Sequence, residues 1–178
     1  MVANNTEESG RDAGGPDHQI CDPPHACRAC LAASGLAVEL TNGQIDALFK
    51  VVDIHRLAKG DVLVSEGEYD NRLYAVARGE FDVSRRESAD RDIQLACLRR
   101  GTITGELAFL DGLKRTATVR AASDGACAIA LKRENLESLM EVDPDLALKL
   151  MFAVIRSANR TVGRMNAAHV DMMRYIQG

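Results

Sequence analysis

The sequence of 178 residues contains no tryptophan, and phenylalanine and tyrosine together make up only 4% of it. So few rings leave no platform for unstacked bases, which argues against single-stranded nucleic-acid binding. Basic charge is not in excess either: 22 lysines and arginines face 26 acidic residues, for a formal charge of −4. Proteins that grip duplex phosphates ordinarily carry a positive surplus, so DNA is not an expected partner. No apolar run reaches about 18 residues, the length of a membrane span. Met1 to Gly15 is polar and mildly acidic, with no hydrophobic segment of the kind that marks a secretory signal. A cytoplasmic protein with no membrane partner is the expectation.

Histidine and cysteine are scarce too. Of four histidines only His55 lies in the stretch that reads as strands, too few for a cupin-type metal enzyme. No Ser/His/Asp set suggests itself, and the chain is not expected to be an enzyme. Five cysteines are an odd number, and a cytosolic protein keeps them reduced, which excludes a disulfide scaffold. Cys21, His25, Cys27 and Cys30 form a C-x₃-H-x-C-x₂-C cluster compatible in composition with a zinc site, with Cys97 as a further candidate ligand. Reduced, unliganded thiols are the expected state, and a metal- or redox-responsive regulator is the alternative. Cys97 alternates with Ile93 and Leu95 and reads as core; Cys127, inside an apolar strand, reads as packing.

Prolines divide what remains. Pro16, Pro23 and Pro24 lie near the start and Pro144 near the end, with none between His25 and Asp143. Residues 1–25 read as a flexible tail rich in Asn, Glu, Gly and Pro. Residues 26–142 form the main body, beginning with two helical pieces. The second runs from about Asn42 to Val52, with Thr41 or Asn42 as N-cap and Ile45, Leu48 and Phe49 at helical spacing. From Val51 to Leu131 the period changes to two. Val62 to Val64, Leu73 to Val76, Phe81 with Val83, Ile93 with Leu95 and Cys97, and Ala117 with Val119 and Ala121 all read as short strands. Seven of the fourteen glycines fall between Gly60 and Gly125, at intervals that suit tight turns. The fold class is therefore mostly β with flanking helices (α+β): an antiparallel β-roll or jelly roll.

Residues 143–178 read as one long helix, with Asp143 as N-cap and Pro144 at the first helical position. Leu148, Met151, Ile155, Ala158, Val162, Met165, His169, Met172 and Ile176 follow one another in steps of three and four. That heptad seam predicts pairing with the same helix of a second subunit, a two-fold homodimer; a helix folded back on its own domain is the alternative. Gly163 weakens the helix, and His169 on the seam reads as tolerated.

One segment breaks the strand pattern. Glu106 to Leu110 has helix formers amid strands, and Asp111-Gly112 turns the chain after it. A helix opening at Gly105-Glu106 presents unpaired amides, which suit an anion. Gly105 admits close approach, and Arg115, at the start of the next strand, offers a fork for phosphate oxygens. Glu106 fits beside them only if the ligand donates a hydroxyl. A ribose cyclic phosphate has both features.

The run Gly105-Glu106-Leu107-Ala108 followed by Arg115-Thr116-Ala117-Thr118-Val119 resembles the phosphate-binding cassette of cyclic nucleotide-binding domains, the catabolite activator protein-like superfamily. The likeness extends from Lys59-Gly60-Asp61-Val62 through Glu66-Gly67-Glu68 and Leu73 to Glu80, and covers about residues 40 to 176. It implies that Glu106 accepts from the ribose 2′-hydroxyl and that Arg115 pairs with the cyclic phosphate. Backbone amides of Leu107, Ala108 and Ala117 would add hydrogen bonds, and Thr116 would touch phosphate or purine. Thr161 would reach the base, with Arg156 and Arg160 nearby. Thr104 stands where the family often has an aromatic residue. The implied function is a sensor for cyclic AMP (cAMP) or cyclic GMP (cGMP), coupled to an unknown effector by movement of the last helix. The chain ends without the helix-turn-helix domain that transcription factors of this superfamily carry, so a stand-alone form that does not read DNA is expected. A salt bridge between Glu106 and Arg115 across an empty roll, and a ligand-free dimerisation adaptor, are the competing expectations.

Overall fold

The computed structural model describes residues 24–88 and 91–177, with side chains at all of them except 24–27, 168, 169, 171 and 174–177. Residues 1–23 of the expected tail, Cys21 among them, and the side chains of His25, Cys27 and His169 lie outside the described residues. Two helices, α1 (Pro24–Ala32) and α2 (Asn42–Phe49), precede the strands. Thr41 caps α2 through a capping box: its hydroxyl accepts from the Gln44 amide at 3.3 Å, and Gln44 Oε1 accepts from the Thr41 amide at 3.1 Å. α2 stops at Phe49, short of the expected Val52. The β-branched Val52 instead opens a strand, where its stiff side chain fits better.

The strands are β1 (Val52–Leu57), β2 (Val62–Val64), β3 (Arg72–Arg78), β4 (Glu80–Ser88), β5 (Arg91–Arg99), β6 (Ile103–Thr104), β7 (Thr118–Ala121) and β8 (Ala126–Lys132), with the short helix α3 (Glu106–Asp111) between β6 and β7. They form two four-stranded antiparallel sheets, ordered β1-β8-β3-β6 and β2-β7-β4-β5. The seven glycines from Gly60 to Gly125 all have positive φ, five of them in connections between strands and two, Gly105 and Gly112, at the ends of α3.

Strand alternation divides the core in two. On β8, Cys127, Ile129 and Leu131 join the cluster beneath the helices, whereas Ala126, Ala128 and Ala130 face Phe81, Val76 and Tyr74 inside the roll. Burial pushes the Cys127 thiol up to about 11, helped by the neighbouring Cys30 thiol.

Cys97 does not lie in the core. Cys97 is exposed, and Ile93 and Leu95 are 39% and 56% exposed. On this edge strand Leu98 and Ala96 oppose Phe81 and Val83 and take the inner face, which turns Cys97, opposite Asp82, outward. A register shift after Val83 interrupts the alternation and sets Ile93 opposite Arg85, beyond the stretch of β4 that pairs with β7.

Two helices close the chain, α4 (Arg133–Val142) and α5 (Pro144–Gln177). α4 had no counterpart in the sequence reading; it buries only Leu136 and Leu139. Asp143 caps α5, its Oδ1 accepting from the Leu146 amide at 3.0 Å. Leu146, Ala147, Leu150, Ala153, Val154 and Ser157 bury one stripe of α5 against the roll and α4. The heptad seam is a different face: Leu148, Ile155, Val162 and Met165 are 45–65% exposed. Asp145 accepts from Lys149 Nζ and Gln44 Nε2, both at 2.7 Å, tying α5 to α2; these bonds, Lys149 first, hold its carboxyl below the usual range.

Leu150 is fully buried where α5 meets the roll, so Leu150→Ala should cost about 2–5 kcal/mol. Urea unfolding followed by circular dichroism measures it, and a loss under about 1 kcal/mol would mean that α5 does not dock as described.

Candidate functional site

Arg115 stands in the loop before β7, three residues ahead of the strand rather than at its start. Its backbone is clamped: the amide donates to the Glu68 carbonyl and the carbonyl accepts from the Gly67 amide, both at 2.8 Å. This directs the side chain inward, where the residue is only 6% exposed. Nη1 donates to the Gly105 carbonyl at 3.1 Å, and Nη2 donates to Asp70 Oδ2 at 2.8 Å and to the Arg72 carbonyl. The guanidinium carbon lies 5.4 Å from the centroid of the Tyr74 ring. Nε is buried and has no hydrogen-bond partner. A buried cation's N–H without an acceptor is rare and costly.

Asp70 is the counter-charge, and the sequence reading missed it. The Arg115–Asp70 pair is almost fully buried, with side-chain exposures of 5% and 10%. Asp70 Oδ2 also accepts from the Tyr74 hydroxyl at 2.9 Å, and Oδ1 accepts from the Arg72 amide at 3.1 Å. Burial, then the Asp70 charge, raises the Tyr74 hydroxyl above its ordinary value, so it stays a donor. The expected alternative, a Glu106–Arg115 salt bridge, does not form: the carboxylate on Arg115 is Asp70. Asp70 precedes Asn71 before a strand, a pattern that reads as turn chemistry, which is why it escaped notice.

Gly105 is required twice over. Its φ of +86° is left-handed, and a Cβ there would fall 2.0 Å from Arg115 Nη1. α3 then runs as the sequence pattern suggests and ends at Gly112, φ +67°. Leu107 points its side chain outward, 62% exposed, so only its backbone is available to a ligand, while Ala108 is buried. Glu106, the first residue of α3, is 8% exposed and turns toward α5, where Ser157 Oγ donates to its Oε1 at 2.6 Å. Thr116 is exposed and Ala117 half-buried beside Arg115. Thr161 is half-buried one turn beyond Ser157, its hydroxyl accepting from Arg164 at 3.3 Å. Arg160 is exposed, and Arg156 pairs with Glu39 at 2.9 Å. A surface depression lined by Tyr69, Asp70, Asn71, Gly112 and Leu113 adjoins the Asp70 end of this cluster. Among the described residues no group of three or more His, Cys, Asp or Glu is placed to hold a metal, and no helix is long and apolar enough to cross a membrane.

Residues 54–143, half of the chain, match the model of the cyclic nucleotide-binding domain. The cAMP-activated global transcriptional regulator CRP of Salmonella typhimurium is 29% identical over 122 residues, covering 67% of this chain and 57% of that protein. The cGMP-dependent protein kinase egl-4 of Caenorhabditis briggsae is 38% identical over 86 residues, 48% of this chain and 11% of the kinase. The chain thus spans little more than half of the regulator and a small part of the kinase. Among solved structures, a cyclic nucleotide-binding domain from Methylobacillus flagellatus shares the fold, with a TM-score of 0.70 at 19% identity over 85% of this chain and 84% of that one. The catabolite activator protein of Thermus thermophilus aligns with a TM-score of 0.63 at 26% identity, over 79% of this chain and 63% of that one.

Asp70→Ala strands Arg115 as a buried, uncompensated cation, and the expected loss is about 3–5 kcal/mol of folding stability. Denaturant titration decides; a loss below about 1 kcal/mol would show that the guanidinium swings out to water.

Proposed function

Because the chain belongs to the cyclic nucleotide-binding domain family, we propose that it is a regulatory sensor that takes one cyclic nucleotide per subunit between Arg115 and Glu106. The observation that carries this reading is the buried, unpartnered Nε of Arg115, an N–H donor held rigidly for an anion. Arg115 takes the cyclic phosphate without losing Asp70, since its fork has five donors. Glu106 accepts from the ribose 2′-hydroxyl through the oxygen that Ser157 does not hold. Amides of Leu107, Ala108 and Ala117 surround the phosphate and ribose, where Gly105 leaves the backbone uncovered. Thr116 and Thr161 line the path of the base, with Thr161 on the same stripe of α5 as Ser157.

The preferred ligand is cAMP, with cGMP second; relatives named for each nucleotide support both. The role is regulatory and not catalytic. Two copies pair through the exposed seam of α5, because apolar side chains at Leu148, Ile155, Val162 and Met165 gain from leaving water. Ligand moves α5, and alters contact with an effector, only as far as the two helix positions bind it unequally. A cytoplasmic setting suits the exposed free thiol of Cys97.

Isothermal titration with cAMP and cGMP tests the site. Saturable binding of one nucleotide per subunit is expected, weakened on the order of 100-fold by Arg115→Lys, which keeps the charge but loses the fork. An unchanged affinity would remove Arg115 from the site, and no heat with either nucleotide would leave the chain a ligand-free dimerisation module. Sedimentation velocity tests the pairing. Val162→Asp with Met165→Asp should convert a two-subunit species to a single subunit, whereas a wild-type protein that sediments as one subunit refutes the dimer.

A further inference from the structure

We propose that Ser157 on α5 is a positioning residue for the Glu106 carboxylate, and that it thereby sets the preference for a ribose over a 2′-deoxyribose ligand. The inference deepens the cyclic-nucleotide reading and rests on it. Ser157 is the one buried polar residue in the apolar stripe of Leu146, Leu150, Ala153 and Val154, and is 3% exposed. Its hydroxyl lies 2.6 Å from Glu106 Oε1 and 3.2 Å from the Ile103 carbonyl oxygen. Both neighbours are acceptors, and a hydroxyl has one proton to give. The shorter contact to the charged acceptor takes it.

Among the described residues, Ser157 is the only hydrogen-bond donor to that carboxylate. A glutamate side chain has three rotatable bonds, and nothing else recorded holds its end. With Oε1 fixed by Ser157, the second oxygen is the one left for a ligand hydroxyl. Without Ser157, a carboxylate 8% exposed loses its donor and must turn or take up water. Either outcome spoils the aim at a 2′-hydroxyl and leaves the Arg115 end untouched. A serine that merely filled space under α5 would show no such selectivity.

Titrating cAMP and 2′-deoxy-cAMP into wild type, Ser157→Ala and Ser157→Cys separates these roles. Ser157→Ala should weaken cAMP about ten-fold, the scale of one charge-assisted hydrogen bond, and leave 2′-deoxy-cAMP within about two-fold. Ser157→Cys, of similar shape but a weak donor, should fall between wild type and Ser157→Ala. If both ligands weaken alike, or neither changes, the positioning role is overturned while nucleotide binding stands. If wild type binds neither ligand nor cGMP, the nucleotide reading falls and this inference with it.

Discussion

A guanidinium that is 6% exposed cannot stay in a protein unless every surrounding element accommodates it, and Arg115 organises its neighbourhood accordingly. The loop at Gly67 and Glu68 clamps its backbone, Asp70 supplies the opposite charge, and the Tyr74 ring lies against its face. Gly105 has no side chain because one would occupy the position of Nη1. Three of these features lie within residues 67–74 and the fourth at Gly105, and all converge on one cation. Nε is the N–H of that guanidinium that these neighbours leave without a partner.

The sheet on which the site rests serves two cores at once. β8 sends Cys127, Ile129 and Leu131 toward the helices and three alanines toward the interior of the roll. Bulk on one side packs beneath the helices, and the alanines on the other pack against Phe81, Val76 and Tyr74. α5 is likewise two-faced. Its first half buries a stripe that ends at Ser157, the point where the helix touches Glu106, while Leu148, Ile155, Val162 and Met165 on another face are exposed. Any shift of α5 along or about its axis is therefore felt at the carboxylate through one hydroxyl.

Much of this was legible in the residues. The alternating apolar pattern located the strands, the punctuating glycines located their turns, and Asp143-Pro144 located the start of α5. The short helix at Glu106 was visible as a helical pattern in the wrong place. Other features were not. Arg133 to Val142 has Leu136, Leu139 and Met140 at helical spacing, but it is a short run between a strand and the Asp143-Pro144 cap, and it buries just two leucines. Ile93, Leu95 and Cys97 alternate in sequence, yet alternation says neither which face is inside nor where a register shift interrupts it, and here all three are exposed. Asp70 reads as a turn residue and Ser157 as an ordinary helical serine, because the partners of each lie about 45 and 51 residues away in sequence.

The sequence by itself determined the elements and the composition of the cassette, since both depend on local spacing: period two for strands, three to four for helices, and glycine where φ must be positive. Tertiary structure alone decided which carboxylate neutralises Arg115, which face of β5 meets water, and which hydroxyl holds Glu106. Each of those is a choice between chemically equivalent candidates, made by the three-dimensional position of groups remote in the chain. Local pattern carries no information about that position, whereas burial of a charge makes the choice binding once the fold has formed.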